Sequence, residues 1–225
     1  MLKNFLSLPT KGAFSLDRCK TLVDGVFAVV VTLLVLGITV PTDHSFSEQG
    51  FYAFLERISF DLLIYSISFW LGCTYWVQHA AIMHFFRKGS RELVWLNLLF
   101  LFPVTLLPFI TELKGAYRYE ILVTLLFGGL QILIGFTLIA IWTYAATHPH
   151  LLTRPIEDDV RKKVTRRMLI SPILISIIAI PVSLLSVHLS SVILLSVPLH
   201  YLSNPLMDRN WWSDAESSHE QRADN

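Results

Sequence analysis

Long apolar runs broken by short polar and charged stretches set the pattern of this chain. The first run extends from about Arg18 to Val40, and Pro41, Asp43 and His44 end it. Comparable runs extend from Ile58 through Trp76 to Phe86, from Glu92 to Ile110, from Glu120 to Thr147, from Met168 to Val187, and from Leu189 to Leu202. A bilayer core of ~30 Å takes about 20 apolar residues as a helix. The pattern therefore predicts an all-α, polytopic membrane protein with six transmembrane helices. Pro108 and the Glu112–Gly115 turn are expected to stop the third run, and His148-Pro149 the fourth. Pro172 and Pro181 lie inside the fifth, where a lipid-buried helix tolerates proline better than a soluble one does. The sixth run is short for a span.

Composition supports this division. Of 225 residues, 53% are hydrophobic and 16% charged, against about a quarter charged in soluble domains. Six spans of about 20 residues fill roughly half the chain, which leaves no room for a second folded domain. One membrane domain over residues 1–205 is expected, followed by a polar, disordered tail over 206–225. Lys and Arg fix the orientation. Thirteen lie before span one, between spans two and three, and between spans four and five, whereas the opposite face has Arg57, Lys114 and Arg118 alone. Both termini are thus expected in the cytoplasm of a bacterial inner-membrane protein. Trp70, Trp76, Trp142, Trp211 and Trp212 fall near span ends, as an aromatic belt would. Lys3, Lys11, Arg18 and Lys20 precede a run with no cleavage-like site, so the first run reads as a permanent helix rather than a signal peptide.

Chemistry is sparse. A net charge of +1 gives no basis for nucleic-acid binding. Cys19 and Cys73 have no metal spacing and read as small apolar packers. His79 with His84, and His188 with His200, lack the spacing of haem ligands, and no nucleophile elbow, phosphate loop or metal-binding helix occurs. No cofactor and no enzyme chemistry are expected. Asp24, by contrast, lies inside the first span, where an ionised carboxylate usually faces a partner or a water-filled path. Arg18 and Lys20 are near enough in sequence to pair with it. His79 in span two and Asn97 in span three are polar residues of the kind that hydrogen-bond between membrane helices. Arg18, Asp24, His79 and Asn97 all fall in the inner halves of neighbouring spans and can form one polar network. Further along span one, Val29, Thr32 or Leu33, Leu36 and Val40 recur at helical spacing. Such a stripe is either plain helix packing or a hydrophobic constriction along a pore.

These residues carry a family resemblance. Arg18-Cys-Lys-Thr-Leu22-Val23-Asp24-Gly25-Val-Phe-Ala, Tyr75-Trp76-Val77-Gln78-His79, Trp95-Leu96-Asn97-Leu98 and Leu106-Leu107-Pro108-Phe109 resemble the prokaryotic branch of the TMEM175 potassium channels. The likeness is specific over about Arg18 to Phe109 and general beyond it. It departs from the family's first-helix signature, an arginine, three variable residues, then Phe-Ser-Asp, by placing Leu22 and Val23 where Phe and Ser stand. The resemblance implies a homotetramer of six-helix subunits whose four first helices line a potassium-permeable pore with no carbonyl filter. By position, Val29 is similar to the first pore layer, Thr32 with Leu33 to the next, and Leu36 to the one beyond. Valine is smaller than the Leu or Ile usual there, which implies a wider, less discriminating constriction. Arg18, Asp24, His79 and Asn97 would hold the pore helix.

Two rivals stand beside a potassium leak channel. A proton-coupled secondary transporter would use Asp24 and His79 as protonatable groups, and a non-conducting scaffold would keep the fold without the pore. The apolar middle of the first span favours the channel, since transporter sites place polar groups near the midplane and only Thr32 lies there.

Overall fold

A computed structural model describes residues 16–38, 48–117, 119–153, 155–156 and 158–202. Val40, the tail from 206 onward, and Trp211 and Trp212 lie outside them. Within the described residues the chain is helical, with one isolated bridge between Phe86 and Leu152. The helices are α1 Leu16–Leu33, α2 Glu48–His84, α3 Arg91–Thr105, α4 Leu107–Ala116, α5 Ile121–Thr147, α6 Asp158–Met168, α7 Ile175–Val182, α8 Val187–Leu195 and α9 Val197–Leu202. Four continuous helical stretches among them are long and apolar enough to cross a membrane: Leu16–Gly37, Arg91–Ala116, Ile121–Thr147 and Asp158–Val182. The second expected span falls inside α2. Its 37 residues would extend ~55 Å at 1.5 Å per residue, well beyond a ~30 Å hydrocarbon core. The sixth falls on the shorter apolar stretch Val187–His200.

Proline explains where the breaks differ from expectation. Pro108 starts a helix instead of stopping one. It occupies the first turn of α4, where its missing N–H has no intrahelical partner to lose. The interruption comes earlier, at Leu106, whose N–H bonds back to Pro103, and the third span continues to Ala116. In the fifth span the break lies at Ser171-Pro172. Ser171 takes φ −83° and ψ 162°, because the ring of a following proline disfavours helical backbone at the preceding residue. The stretch Leu169–Leu174 is correspondingly a kink that joins α6 to α7. The span begins earlier than its apolar run: α6 carries Arg161, Lys162, Lys163, Arg166 and Arg167 in helical form. It also ends earlier, at Val182, after which Ser186 caps α8 by accepting from the Leu189 N–H at 3.3 Å.

α5 is the hub. It packs on α2, α3, α4, α6, α7 and α8, and Ile134, Leu138, Ile141 and Trp142 are almost fully buried along it. Trp142 is therefore a core residue and not part of a belt; its indole N–H donates to Thr165 at 2.9 Å. Gly135 marks the tightest approach, since a Cβ there would lie 2.6 Å from Pro172 Cγ and 2.9 Å from Ile173 Cγ1. At one end of the bundle, Thr153 N–H donates to Phe85 O at 2.8 Å and Arg87 N–H to Leu151 O at 2.9 Å. These bonds clip the α2–α3 connection to the segment after α5.

Gly135→Ala is expected to destabilise the subunit by ~1–3 kcal/mol through overpacking. Gly129→Ala, where a Cβ meets nothing within 4 Å, is expected to leave stability unchanged. Thermal unfolding of the two variants in detergent checks the pair.

Candidate functional site

α1 divides lengthwise into two faces of different fate. Cys19, Val23, Phe27 and Val30, followed by Leu34 in the 3₁₀ turn Leu34–Gly37, are buried in the subunit. Spacing of three and four residues puts these side chains on one helical face. The opposite face, Arg18, Leu22, Gly25, Val29, Thr32, Leu33 and Leu36, is exposed. Val29 is 55% and Leu36 71% accessible, so these large apolar groups are buried only by something outside the chain. Expected as a stripe, Val29, Thr32, Leu33 and Leu36 do share this outward face. The Thr32 hydroxyl bonds the carbonyls of Ala28 and Val29 at 2.9 Å each. Its proton is directed back into the helix, while the oxygen retains acceptor capacity toward the exposed side.

The rotation of α1 is fixed by its neighbours. Phe27 packs on Phe100 of α3 with ring centroids 5.8 Å apart, and His79 of α2 stacks on Phe100 at 5.0 Å with the planes 2° apart. One aromatic ring thus joins three helices. The imidazole Nε2 of His79 lies 2.5 Å from Asn97 Oδ1, and both residues are almost completely buried. Asn97 Nδ2 donates to the Leu93 carbonyl at 2.7 Å. A carbonyl can only accept, so the Asn97 oxygen faces the histidine and His79 Nε2 carries the proton. One turn before His79 on α2, Trp76 Nε1 donates to Asp24 Oδ1 at 2.8 Å. A bond from an N–H to a carboxylate is stronger than one between neutral groups. Arg18 lies beside the same cluster: with Asn97, Leu22 and Leu98 it lines a cavity of about 240 Å³ between α1 and α3.

The four polar residues expected from the sequence thus fall in one region, in two linked parts. His79 binds Asn97, and Asp24 binds Trp76. Trp76, expected only near a span end, is thus the partner of Asp24. A signal was available: Trp76 and His79 are three residues apart and share a helix face, so a histidine facing the bundle brings the tryptophan with it. Phe27 and Phe100 carried no signal beyond their apolarity. Among the described residues no group of three or more His, Cys, Asp or Glu could hold a metal ion. Cys19 and Cys73 are both free thiols.

Comparison with known proteins places these helices in context. Residues 18–108 match the model of the family described as endosomal/lysosomal potassium channel TMEM175. A potassium channel of Chamaesiphon minutus is 27% identical over 158 residues, which cover 69% of this chain and 78% of that protein. The human endosomal/lysosomal proton channel TMEM175 is 26% identical over 156 residues, 69% of this chain and 31% of that protein. A crystal structure of a lysosomal potassium-selective channel TMEM175 homologue from Chamaesiphon minutus superposes with a TM-score of 0.71. It is 26% identical and covers 83% of this chain and 96% of that one.

A double-mutant cycle on His79→Phe and Asn97→Leu tests the buried pair, since phenylalanine keeps the stack on Phe100 and loses the bond. The expected coupling is about 0.6–1.7 kcal/mol, the range of interhelical hydrogen bonds in membranes, read from thermal unfolding in detergent. Additive single effects would remove the bond from the account.

Proposed function

We propose that the chain, similar to the TMEM175 channels over residues 18–108 and in overall fold, is a member of that family and forms a potassium-permeable leak channel in the bacterial inner membrane. Its subunit has six transmembrane helices with both ends cytoplasmic, and four subunits assemble around a pore lined by the outward face of α1. The observation that carries this reading is the division of α1. A helix bearing a buried apolar stripe and, opposite it, an exposed apolar stripe with one hydroxyl needs a second partner surface. Four copies meeting on an axis supply one.

In this arrangement Val29, Thr32, Leu33 and Leu36 narrow the pore, with Val40 beyond them. Apolar rings of this kind control passage by dewetting rather than by coordination. The Thr32 oxygen offers the one polar contact in the stretch. Val29, a small residue for the first layer, gives a wider constriction and weaker discrimination between potassium and sodium. Arg18, Asp24, His79 and Asn97, together with Trp76, hold α1 at the rotation that presents these side chains inward. Leu22 and Val23 are consistent with this division of labour. Leu22 lies on the outward face, whereas Val23 is fully buried, so an apolar residue suits its site and no hydroxyl is left unpaired there.

The name carried by the mammalian relatives supports proton permeation as a second reading of the same pore. A water chain through a dewetting constriction would carry it, and no carboxylate in the pore is needed.

Val29→Phe is expected to lower potassium flux into proteoliposomes on the order of tenfold, the rate equivalent of ~1.4 kcal/mol on the barrier, with the oligomer intact by size-exclusion chromatography. Val29→Leu is expected to lower sodium flux more than potassium flux. Unchanged flux in both variants takes Val29 out of the pore. A pH-sensitive dye inside the same vesicles reads the proton component.

A further inference from the structure

At the end of α1 away from Asp24, the 3₁₀ turn Leu34–Gly37 passes under α4. A Cβ built on Gly37 would lie 3.4 Å from Glu112 Cγ and 3.7 Å from Glu112 Cδ. The acidic side chain therefore rests directly over the last turn of the first helix, at the one position there that has no side chain of its own. Glu112 is exposed and pairs with no cation among the described residues. The nearest basic residue on its own helix turns elsewhere: Lys114, two residues on and so on the other side of α4, donates from Nζ to Thr124 Oγ1 at 2.5 Å. Helix ends of this polarity add to the charge, because the last carbonyls of α1 point outward without intrahelical donors and carry partial negative charge.

We propose that Glu112 forms an acidic ring at the outer mouth of the pore, one carboxylate from each subunit, which concentrates monovalent cations ahead of the apolar constriction. This inference rests on the reading of α1 as the pore lining. A dewetting constriction offers an arriving cation almost no attraction of its own, so the supply of ions to it depends on the field at its entrance. Fixed carboxylates there raise the local cation concentration and repel anions, as charged rings do in other cation pores. Glu112 is placed to do this without narrowing the pore, since it reaches the mouth from a neighbouring helix across a glycine.

The test is the conductance of wild type, Glu112→Gln and Glu112→Lys in planar bilayers, measured with potassium chloride on both sides at two ionic strengths. At ~0.01 M salt the screening length is ~30 Å and at ~1 M it is ~3 Å. Inward conductance at the low concentration is expected to fall from wild type to Gln to Lys. The first step is roughly tenfold, the Boltzmann weight of four unit charges at ~10 Å in water. The three proteins are expected to converge at the high concentration, which also confirms that the variants assemble. Outward conductance should change less, so the variants rectify. Equal inward conductance of all three at low salt, with normal conduction at high salt, overturns the acidic ring and leaves the pore standing. A wild type that passes no ions at either concentration overturns the pore reading, and the ring with it.

Discussion

An apolar helix in lipid has no intrinsic reason to present one side rather than another, because hydrocarbon surrounds every side equally. The bundle removes this freedom from α1 through a polar bond and ring contacts near Asp24 and Phe27, and through the buried side chains that continue along the same face to Leu34. The Asp24 carboxylate accepts from the Trp76 indole N–H at 2.8 Å. The Phe27 ring sits on Phe100, which is stacked on His79, which is bonded to Asn97. Polar satisfaction and ring packing thus act together on one stretch, about one turn apart. With that face committed, Val29, Thr32, Leu33 and Leu36 have a single direction left, outward from the subunit.

The remainder of the chain makes this commitment rigid. α2 and α3 carry the partners of α1 and pack on α5, the hub of the bundle. The kink at Ser171-Pro172 lies against α5 so closely that Gly135 meets Pro172 with no space for a methyl group. The C-terminal helices are short and interrupted, yet Ser190 Oγ donates to the Ala179 carbonyl at 2.7 Å. In a medium without water, such bonds are how a broken or frayed helix keeps its backbone paired. The hub and the short helices form the support, and α1 is the element they present.

Much of this was legible in the sequence, for physical reasons that also mark where legibility ended. The apolar runs could be read because exclusion of water demands them; the helix over Ile121–Thr147 agrees with its run to within a residue at its start. His79 and Asn97 stood out because buried polar groups in a membrane need partners, and they are each other's. The break at Ser171-Pro172 was harder to place, since proline inside a span permits either a kink or a continuous helix and packing against Gly135 decides. Trp142 resembled an interfacial residue by position. It is instead buried in the core, with its indole N–H bonded to Thr165, a partner 23 residues away that no local pattern indicates. Phe27 and Phe100 were apolar residues among many, and only the assembled helices single them out.

Cysteine accessibility along α1 tests the central claim, that the anchored helix turns its outward stripe to a water-filled pathway. In a background with Cys19 and Cys73 replaced by alanine, single cysteines are placed at Val29 and Thr32 on the outward face and at Phe27 and Val30 on the buried face. A water-soluble thiol reagent is then added during flux. The account predicts that Val29→Cys and Thr32→Cys react and that reaction blocks potassium flux, while Phe27→Cys and Val30→Cys remain unmodified. Reaction without block at the outward positions, or equal labelling of both faces, would contradict it.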